Sequence, residues 1–300
     1  MNTTTTVPAF VGKLVLSLSM LTAPVGCSNN EQQLPTPAGS ENGSITVNGV
    51  VRTFRLYPPA NPGSNPMPVL IAINGGGMRA EAFPQEAEFA QLAETEGFLF
   101  VVPISELLPD NEGEWQLNTT SSSRQDIDFM EALIDELANR YSVDASRVYG
   151  TGYSLGSMFN YEIACQLPER FAAIASHAGT MPVRPESCRP ARTMAMLHLH
   201  GTEDTIIPYN STWAWKQWAE VGTMRDIPGL ITFWSGLANC QESIEERAPD
   251  SLHFVHQNCD GDVRVEHHRI EGLGHGWPET LNGQSTHQVI WNFLSSFQRP

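Results

Sequence analysis

Continuous apolar runs, each ended by glycine or polar residues, form the main pattern of this chain. Residues 69–73 read Val-Leu-Ile-Ala-Ile and stop at the polar and glycine-rich segment 74–77. A run without polar alternation is typical of a strand buried on both faces, as in a parallel sheet. Apolar segments predict further strands at residues 98–102, 171–176 and 194–200, and another strand is expected at residues 263–270.

Helical patterns separate these strands. Residues 121–141 carry apolar side chains at a 3.6-residue period, with serines and Asp126 placed to cap the helix start. Residues 84–96 and 285–297 predict further helices, and another extends from the glycine-rich turn at 152–156 to about residue 167. Strands alternating with helices predict an α/β fold, with a mostly parallel central sheet covered on both faces and no large lid domain.

An antiparallel hairpin is expected before the first buried strand. Residues 44–56 alternate apolar and polar side chains around Asn48-Gly49, a strong hairpin signal. We therefore place two antiparallel edge strands at the start of the folded domain.

Composition limits the class of partner. The 300 residues are 41% apolar, enough for one large catalytic domain with a sizeable core. Seventeen basic against 33 acidic residues give a net charge of −16, which argues against nucleic acid or an anionic membrane surface as a partner. The same charge would repel polyanionic substrates.

The N-terminus predicts export. Lys13 precedes an apolar run, residues 14–25, that is too short to span a bilayer. The run ends at Gly26-Cys27, which resembles a bacterial lipoprotein signal with Cys27 as the lipidated residue, although Pro24 departs from that motif. We assign residues 1–27 to an export signal, 28–44 to a flexible tether and 45–300 to the catalytic domain. The protein is expected to be secreted or anchored to the bacterial outer membrane by its lipid, its one membrane contact.

Four cysteines remain after Cys27, an even number in an exported chain. They allow three pairings of two disulfides. We favour Cys165–Cys188 with Cys240–Cys259, because each bond closes a loop of modest length.

Residues 152–156, Gly-Tyr-Ser-Leu-Gly, match the G-x-S-x-G nucleophile elbow. A short apolar run precedes the pentapeptide and a helical pattern follows it, as the elbow requires. Gly152 and Gly156 lack the bulk that would keep strand and helix apart. The pentapeptide alone is common in ordinary loops, so the assignment of Ser154 as nucleophile depends on its partners.

Two loops supply those partners in the chain order of α/β-hydrolases, serine then acid then histidine. Residues 194–200 end before Glu203 and Asp204, and residues 263–270 end before a glycine-rich loop that contains His275. His275 is expected to take the serine proton and Asp204 to orient the imidazole. Glu203 is the rival acid, and we favour Asp204 because it has the usual acid type and begins a turn.

An oxyanion hole needs two backbone N–H donors. Leu155 follows the nucleophile and supplies one, and Gly76 in the loop after an early strand is the choice for the other. A phosphate-binding turn is the alternative for these glycines, but no Lys-Ser or Lys-Thr completes a P-loop. His198 and His200 share a strand face, yet they lack a third ligand at a telling spacing, so no metal or other cofactor is expected.

Several segments together resemble the polyhydroxybutyrate depolymerase-like and feruloyl esterase-like branch of secreted α/β-hydrolases. The similar segments are residues 72–77, 126–129, 145–158, 170–175, 200–209 and 274–278. Members of this branch cleave feruloyl or acetyl groups from plant polysaccharides, or short hydroxyalkanoate esters. Family members also tend to carry cysteines around the segment bounded here by Cys240 and Cys259. Asn74 and Ser157 depart from the family pattern, a histidine and a glycine respectively, which bears on substrate preference.

These observations predict an exported serine carboxylic-ester hydrolase that forms an acyl-enzyme. Trp115, Trp277 and Asn74 are the candidates for contacts with a small or oligomeric ester. Two alternatives stay open: a carbohydrate-binding surface lipoprotein with a hydrolase fold but no activity, and a serine peptidase of the same fold.

Overall fold

The computed structural model describes residues 39–76, 83, 85–107, 113–117, 124–215 and 221–300. These residues belong to one unit, Thr36–Pro300. The predicted export signal 1–27 with Cys27, most of the predicted tether, and Gly77 lie outside the described residues.

The described strands form one large sheet and three short hairpins. In chain order they are β1 (Glu41–Val47), β2 (Val50–Tyr57), β3 (Met67–Ile73), β4 (Leu99–Pro103), β5 (Glu106–Leu107), β6 (Gly113–Glu114), β7 (Val143–Tyr153), β8 (Ala173–His177), β9 (Ala195–Gly201), β10 (Trp213–Ala214), β11 (Thr223–Met224), β12 (Glu242–Arg247), β13 (Ser251–Gln257), β14 (Val265–Ile270), β15 (Thr280–Leu281) and β16 (Gln284–Ser285).

The large sheet has the order β1-β2-β4-β3-β7-β8-β9-β14-β13-β12. Neighbours from β4 to β14 pair in parallel, and the pairs at the two edges are antiparallel. Every residue of β3, β4, β8 and β9 is buried, as the apolar runs of β3 and β4 predict; β8 and β9 also bury serine and histidine side chains. Because parallel strands end at one edge of the sheet, the loops after β3, β7, β9 and β14 meet there.

Helices cover both faces of this sheet, which makes the fold that of an α/β-hydrolase. α1 packs against α5, α2 packs against α3, and α4 packs against β14. Among the described residues, no helix is long and apolar enough to cross a membrane. The helices are α1 (Glu86–Glu96), α2 (Gln125–Arg140), α3 (Leu155–Gln166), α4 (Ile227–Leu237) and α5 (Thr286–Leu294).

The observed elements differ from the predicted ones in two regions. β1 begins at Glu41, so the last four residues assigned to the tether are part of the edge hairpin. Asp126 lies inside the first turn of α2 and does not cap it, because its carboxylate pairs with Arg52 at 2.8 Å and accepts a hydrogen bond from the Gln116 N–H at 2.8 Å. The sequence pattern did not predict α4 or the β12–β13 hairpin.

Candidate active site

Ser154 occupies the sharp turn between β7 and α3. Its backbone has φ 54° and ψ −119°, a region that a residue with a β-carbon rarely adopts. A β-carbon at Gly152 would lie 2.4 Å from the carbonyl oxygen of Gly156, and one at Gly156 would lie 2.2 Å from that of Ile73. The two glycines therefore allow strand and helix to approach closely, and the turn lifts the Ser154 side chain out of the sheet edge.

His275 lies between Ser154 and Asp204. Its Nε2 is 2.9 Å from the Ser154 hydroxyl oxygen, and its Nδ1 is 2.7 Å from Asp204 Oδ2. Both distances are those of hydrogen bonds. An imidazole held this way has Nδ1–H donating to the carboxylate, which leaves the Nε2 lone pair directed at the serine hydroxyl.

Asp204 is a buried carboxylate with several donors. Its Oδ1 accepts hydrogen bonds from the backbone N–H groups of Ile206 at 2.9 Å and Ile207 at 2.8 Å. Burial by itself raises the pKa of Asp204, but hydrogen bonds from His200, His275 and the Ile207 N–H outweigh it and lower that pKa well below its ordinary value. The group is therefore ionised at neutral pH, as is expected of an orienting acid.

The loop after β3 packs directly against the elbow. A β-carbon at Gly75 would lie 3.2 Å from that of Ser154, and one at Gly76 would lie 2.9 Å from the Leu155 side chain. Leu155 is the first residue of α3, and the N–H groups of a first helical turn have no partner within the helix. The backbone of Gly76 and Leu155 thus borders the space beside the Ser154 hydroxyl, where donors to an oxyanion belong.

Comparisons with known proteins identify the fold and the kind of protein that this chain resembles. The sequence model of the phospholipase/carboxylesterase family matches residues 103–221, a span that includes Ser154 and Asp204. The solved acetyl xylan esterase of Aspergillus awamori has a TM-score of 0.60 at 17% identity, and the match covers 85% of this chain and 99% of that one. The chain has the α/β-hydrolase fold and is similar to known esterases.

Relatives of this α/β-hydrolase carry esterase names. The bifunctional acetylxylan esterase/xylanase of Neocallimastix patriciarum is 24% identical over 83% of this chain and 34% of its own length. Feruloyl esterase B of Piromyces equi is 25% identical over 62% of this chain and 34% of its own length. The chain thus spans about a third of the length of these two relatives.

Two residues expected to contact substrate are buried at the loop after β3. Asn74 and Trp115 are each 0% exposed. The Trp115 indole N–H donates to the Asn74 backbone and side-chain oxygens, both at 3.1 Å, and the ring stacks on Phe159. This burial leaves no surface for a ligand, so the prediction that Asn74 and Trp115 contact the substrate is wrong. Together they support the loop that carries Gly75 and Gly76.

Trp277, the third expected substrate contact, is half-buried. Its ring meets His177 edge-on at 5.0 Å between centroids and Phe89 at 6.3 Å. Trp277 therefore stays a candidate for substrate contact on the exposed part of its side chain.

Two residues that sequence reasoning did not assign to the site hold the loop of His275. The Tyr153 hydroxyl donates to the His275 carbonyl oxygen at 2.6 Å, and His177 Nε2–H donates to the Gly276 carbonyl oxygen at 2.7 Å. Burial lowers the pKa of His177 to about 3, so its ring is neutral at physiological pH. Tyr153 sits inside the elbow pentapeptide, but no sequence signal links it to residues more than a hundred positions away.

Both favoured disulfides are present in the structure. Cys165–Cys188 ties the end of the elbow helix α3 to the segment that precedes β9, with 4.4 Å between the Cα atoms. Cys240–Cys259 joins the chain after α4 to the end of the β12–β13 hairpin, with 3.9 Å between the Cα atoms.

The histidines of β9 and β14 bind each other and neighbouring polar groups. Among the described residues, no group of three or more His, Cys, Asp or Glu side chains is arranged to hold a metal ion. His198 Nε2 and His200 Nδ1 are 3.1 Å apart, and His267 lies between the His198 carbonyl oxygen and the Tyr209 hydroxyl.

Proposed function

We propose that this α/β-hydrolase is a serine carboxylic-ester hydrolase with Ser154 as nucleophile, His275 as base and Asp204 as orienting acid. The single observation behind the proposal is the unbroken series of hydrogen bonds, 2.9 Å from Ser154 to His275 and 2.7 Å from His275 to Asp204. Named carboxylesterases, acetylxylan esterases and feruloyl esterases among its relatives support the ester as the bond cleaved.

In the first half-reaction, His275 Nε2 removes the Ser154 proton as the hydroxyl oxygen attacks the ester carbonyl carbon. The oxyanion accepts hydrogen bonds from the N–H groups of Gly76 and Leu155. The tetrahedral intermediate then collapses, the bond to the alcohol oxygen breaks, and His275 gives its proton to the leaving alcohol. An acyl group remains on Ser154.

Water completes the second half-reaction by the same route. His275 takes a proton from water, the resulting hydroxide attacks the acyl carbon, and the carboxylic acid leaves as Ser154 recovers its proton. Asp204 stays ionised throughout and stabilises the imidazolium that forms at each step, which its lowered pKa supports.

Acetyl or feruloyl esters of plant polysaccharide fragments are the proposed substrates, with short hydroxyalkanoate esters as the third class. Two of these esters are in the names of the relatives above, and a relative from Paucimonas lemoignei is named a poly(3-hydroxyalkanoate) depolymerase. The net charge of −16 also favours neutral over anionic substrates.

The decisive experiment compares the protein with Ser154→Ala on 4-nitrophenyl acetate, methyl ferulate, acetylated xylan fragments and hydroxybutyrate oligomers. Wild-type turnover of at least one ester, lost by at least about a thousandfold in Ser154→Ala with an unchanged circular dichroism spectrum, supports the proposal. Equal turnover in both proteins refutes it. A fluorophosphonate probe labels only an activated serine, so absence of labelling at Ser154 would favour a non-catalytic binding protein.

We also propose that the chain is exported and that Cys27 carries a lipid. Support comes from the apolar run at 14–25 before Gly26-Cys27 and from the two disulfides, which form in oxidising compartments. Expression in a bacterium with a labelled fatty acid tests this. Label in the wild type and none in Cys27→Ser is the expected result, whereas equal labelling of both would contradict lipidation at Cys27.

A further inference from the structure

A line of buried polar side chains runs inward from the back of Asp204. His200 and His198 lie two residues apart on β9, Tyr161 lies on α3, and none of the three is more than 1% exposed. His200 Nε2 is 3.3 Å from Asp204 Oδ2 and 2.9 Å from the Ile207 carbonyl oxygen. His200 Nδ1 is 3.1 Å from His198 Nε2, and His198 Nδ1 is 2.6 Å from the Tyr161 hydroxyl.

These partners fix the hydrogen on each ring. Two acceptors, the Asp204 carboxylate and the Ile207 carbonyl, face His200 Nε2, so this nitrogen carries the hydrogen and shares it between them. His200 Nδ1 is then the acceptor for the N–H of His198 Nε2, 3.1 Å away. His198 Nδ1 in turn accepts the Tyr161 hydroxyl hydrogen. Every hydrogen in the line thus points toward Asp204.

We propose that His200 is a positioning residue of the active site, which orients the Asp204 carboxylate and is itself held in the required tautomer by His198 and Tyr161. The proposal rests on the assignment of Asp204 to the triad. His200 touches no reacting atom, and its effect passes through the carboxylate that orients His275.

The distribution of donors around Asp204 explains why the carboxylate needs His200. Oδ1 is held by two backbone N–H groups, whereas Oδ2 has only His275 and His200 as described partners. Without His200, the remaining described partner of Oδ2 would be His275. That is the ring that Asp204 itself has to orient. A second donor fixes the plane of the carboxylate independently of the movement of His275 during the reaction.

His198 contributes a dipole and no charge. Burial, followed by the neighbouring histidines, lowers the pKa of His198 well below its ordinary value, so that ring is neutral. The other titratable groups that interact with Asp204 are His275, His177 and Tyr153. Of these three, His275 is the one with a described hydrogen bond to Asp204 Oδ2.

The test compares two substitutions of His200 by residues with an amide side chain. In His200→Gln the side-chain amide nitrogen reaches the place of Nε2 and keeps a donor for Asp204. In His200→Asn the amide nitrogen reaches only the place of Nδ1, so the donor to Asp204 is lost while a buried polar side chain remains. We expect kcat on 4-nitrophenyl acetate to fall by about ten- to a hundredfold in His200→Asn, with KM changed by less than about twofold, and to recover to within about threefold of wild type in His200→Gln.

A second readout needs no substrate. The hydrogen between His275 Nδ1 and Asp204 Oδ2 gives a strongly downfield proton NMR signal. We expect this signal in the wild type and His200→Gln and its broadening or loss in His200→Asn. His267→Asn is the matched control: it removes an equally buried imidazole from the neighbouring strand β14, whose hydrogen bonds go to Tyr209 and the His198 backbone. It should leave the signal in place.

The kcat and the NMR signal together distinguish failure of the proposed esterase function from failure of the positioning role of His200. A wild type without esterase activity but with an NMR signal that depends on residue 200 would refute the proposed function and keep the positioning role. If His200→Asn does not fold, Tyr161→Phe replaces it, because it removes the hydroxyl that fixes the His198 tautomer. Tyr209→Phe is then the control. An unchanged kcat together with an unchanged signal in a folded variant overturns the positioning role.

Discussion

Lowering the pH from 7.5 to 5.5 should strongly destabilise this protein, because its fold buries neutral histidines. Burial lowers the pKa of His177, His267 and His268 from 6.5 to about 3. In the unfolded chain these rings regain ordinary values and take up protons near pH 6.5. A depressed folded-state pKa therefore stabilises the fold fully above pH 6.5, and this contribution is lost as the pH falls from 6.5 toward 3.

The size of the effect follows from the same pKa values. At pH 5.5 protonation of each unfolded histidine lowers the free energy of unfolding by about 1.4 kcal/mol, so three contribute about 4 kcal/mol. That is a large part of the roughly 5–15 kcal/mol that holds a typical domain together. Asp204 does not contribute in this window, because its lowered pKa places its titration at more acidic pH.

Urea unfolding followed by tryptophan fluorescence at both pH values measures the change. His268→Gln serves as a single-site control: it removes one titrating ring and should reduce the pH-dependent loss by about 1.4 kcal/mol. A change below about 1 kcal/mol between the two pH values in the wild type would refute the claim that these rings stay neutral in the fold.

Two other predictions concern the elbow. Gly156→Ala should cost at least about 3 kcal/mol of unfolding free energy or prevent folding, because the new β-carbon would lie 2.2 Å from the Ile73 carbonyl oxygen. Gly236→Ala, in α4 with no atom within 4 Å of the new β-carbon, should instead stabilise the protein by about 0.5 kcal/mol, and equal effects of the two substitutions in urea unfolding would contradict the packing argument. Tyr153→Phe should lower kcat about threefold by removing one hydrogen bond to the His275 carbonyl, and steady-state kinetics with no change would show that this bond does not hold the loop.

The sheet could be predicted from sequence because its central strands leave a local signature. β3 is buried along its whole length, and burial on both faces requires the uninterrupted apolar run that its sequence shows. The β12 edge of the sheet gave no such signal. β12 reads Glu-Ser-Ile-Glu-Glu-Arg and is mostly exposed, so Ile244 is the only apolar residue from which a strand could have been predicted.

α4 was missed because it contains residues that normally end helices. Pro228 lies in the first turn, where proline is tolerated, and Asp226 caps the helix by accepting a hydrogen bond from the Gly229 N–H at 2.6 Å. Gly229 and Gly236 weaken the helical pattern further. Packing of Leu230 and Ile231 into the core supplies the stability that the local sequence lacks.

Within the site, sequence could predict which chemical groups come together but not the side chains that support them. The elbow pentapeptide and the two strand-end loops have fixed places in the fold, so Ser154, Asp204 and His275 can be expected at one edge of the sheet. No comparable sequence rule gives the side chains that hold Asp204 in place. Their placement depends on a strand that carries histidines on one face and a helix that brings Tyr161 within 2.6 Å of His198, a contact between residues 37 positions apart.

The difference between predictable catalytic residues and unpredictable supporting residues has a physical basis that also applies to residues other than His200. A buried polar group must find a hydrogen-bond partner, but sequence does not say which of several groups will supply it. The neutral indole N–H of Trp115 donates to two oxygens of Asn74. The sequence alone indicates only an aromatic residue near the site. The residues that hold a catalytic geometry in place are therefore the ones for which side-chain burial has to be known. Substitutions at such buried positions, more than at exposed ones such as Ile206, are where we expect large effects on the reaction.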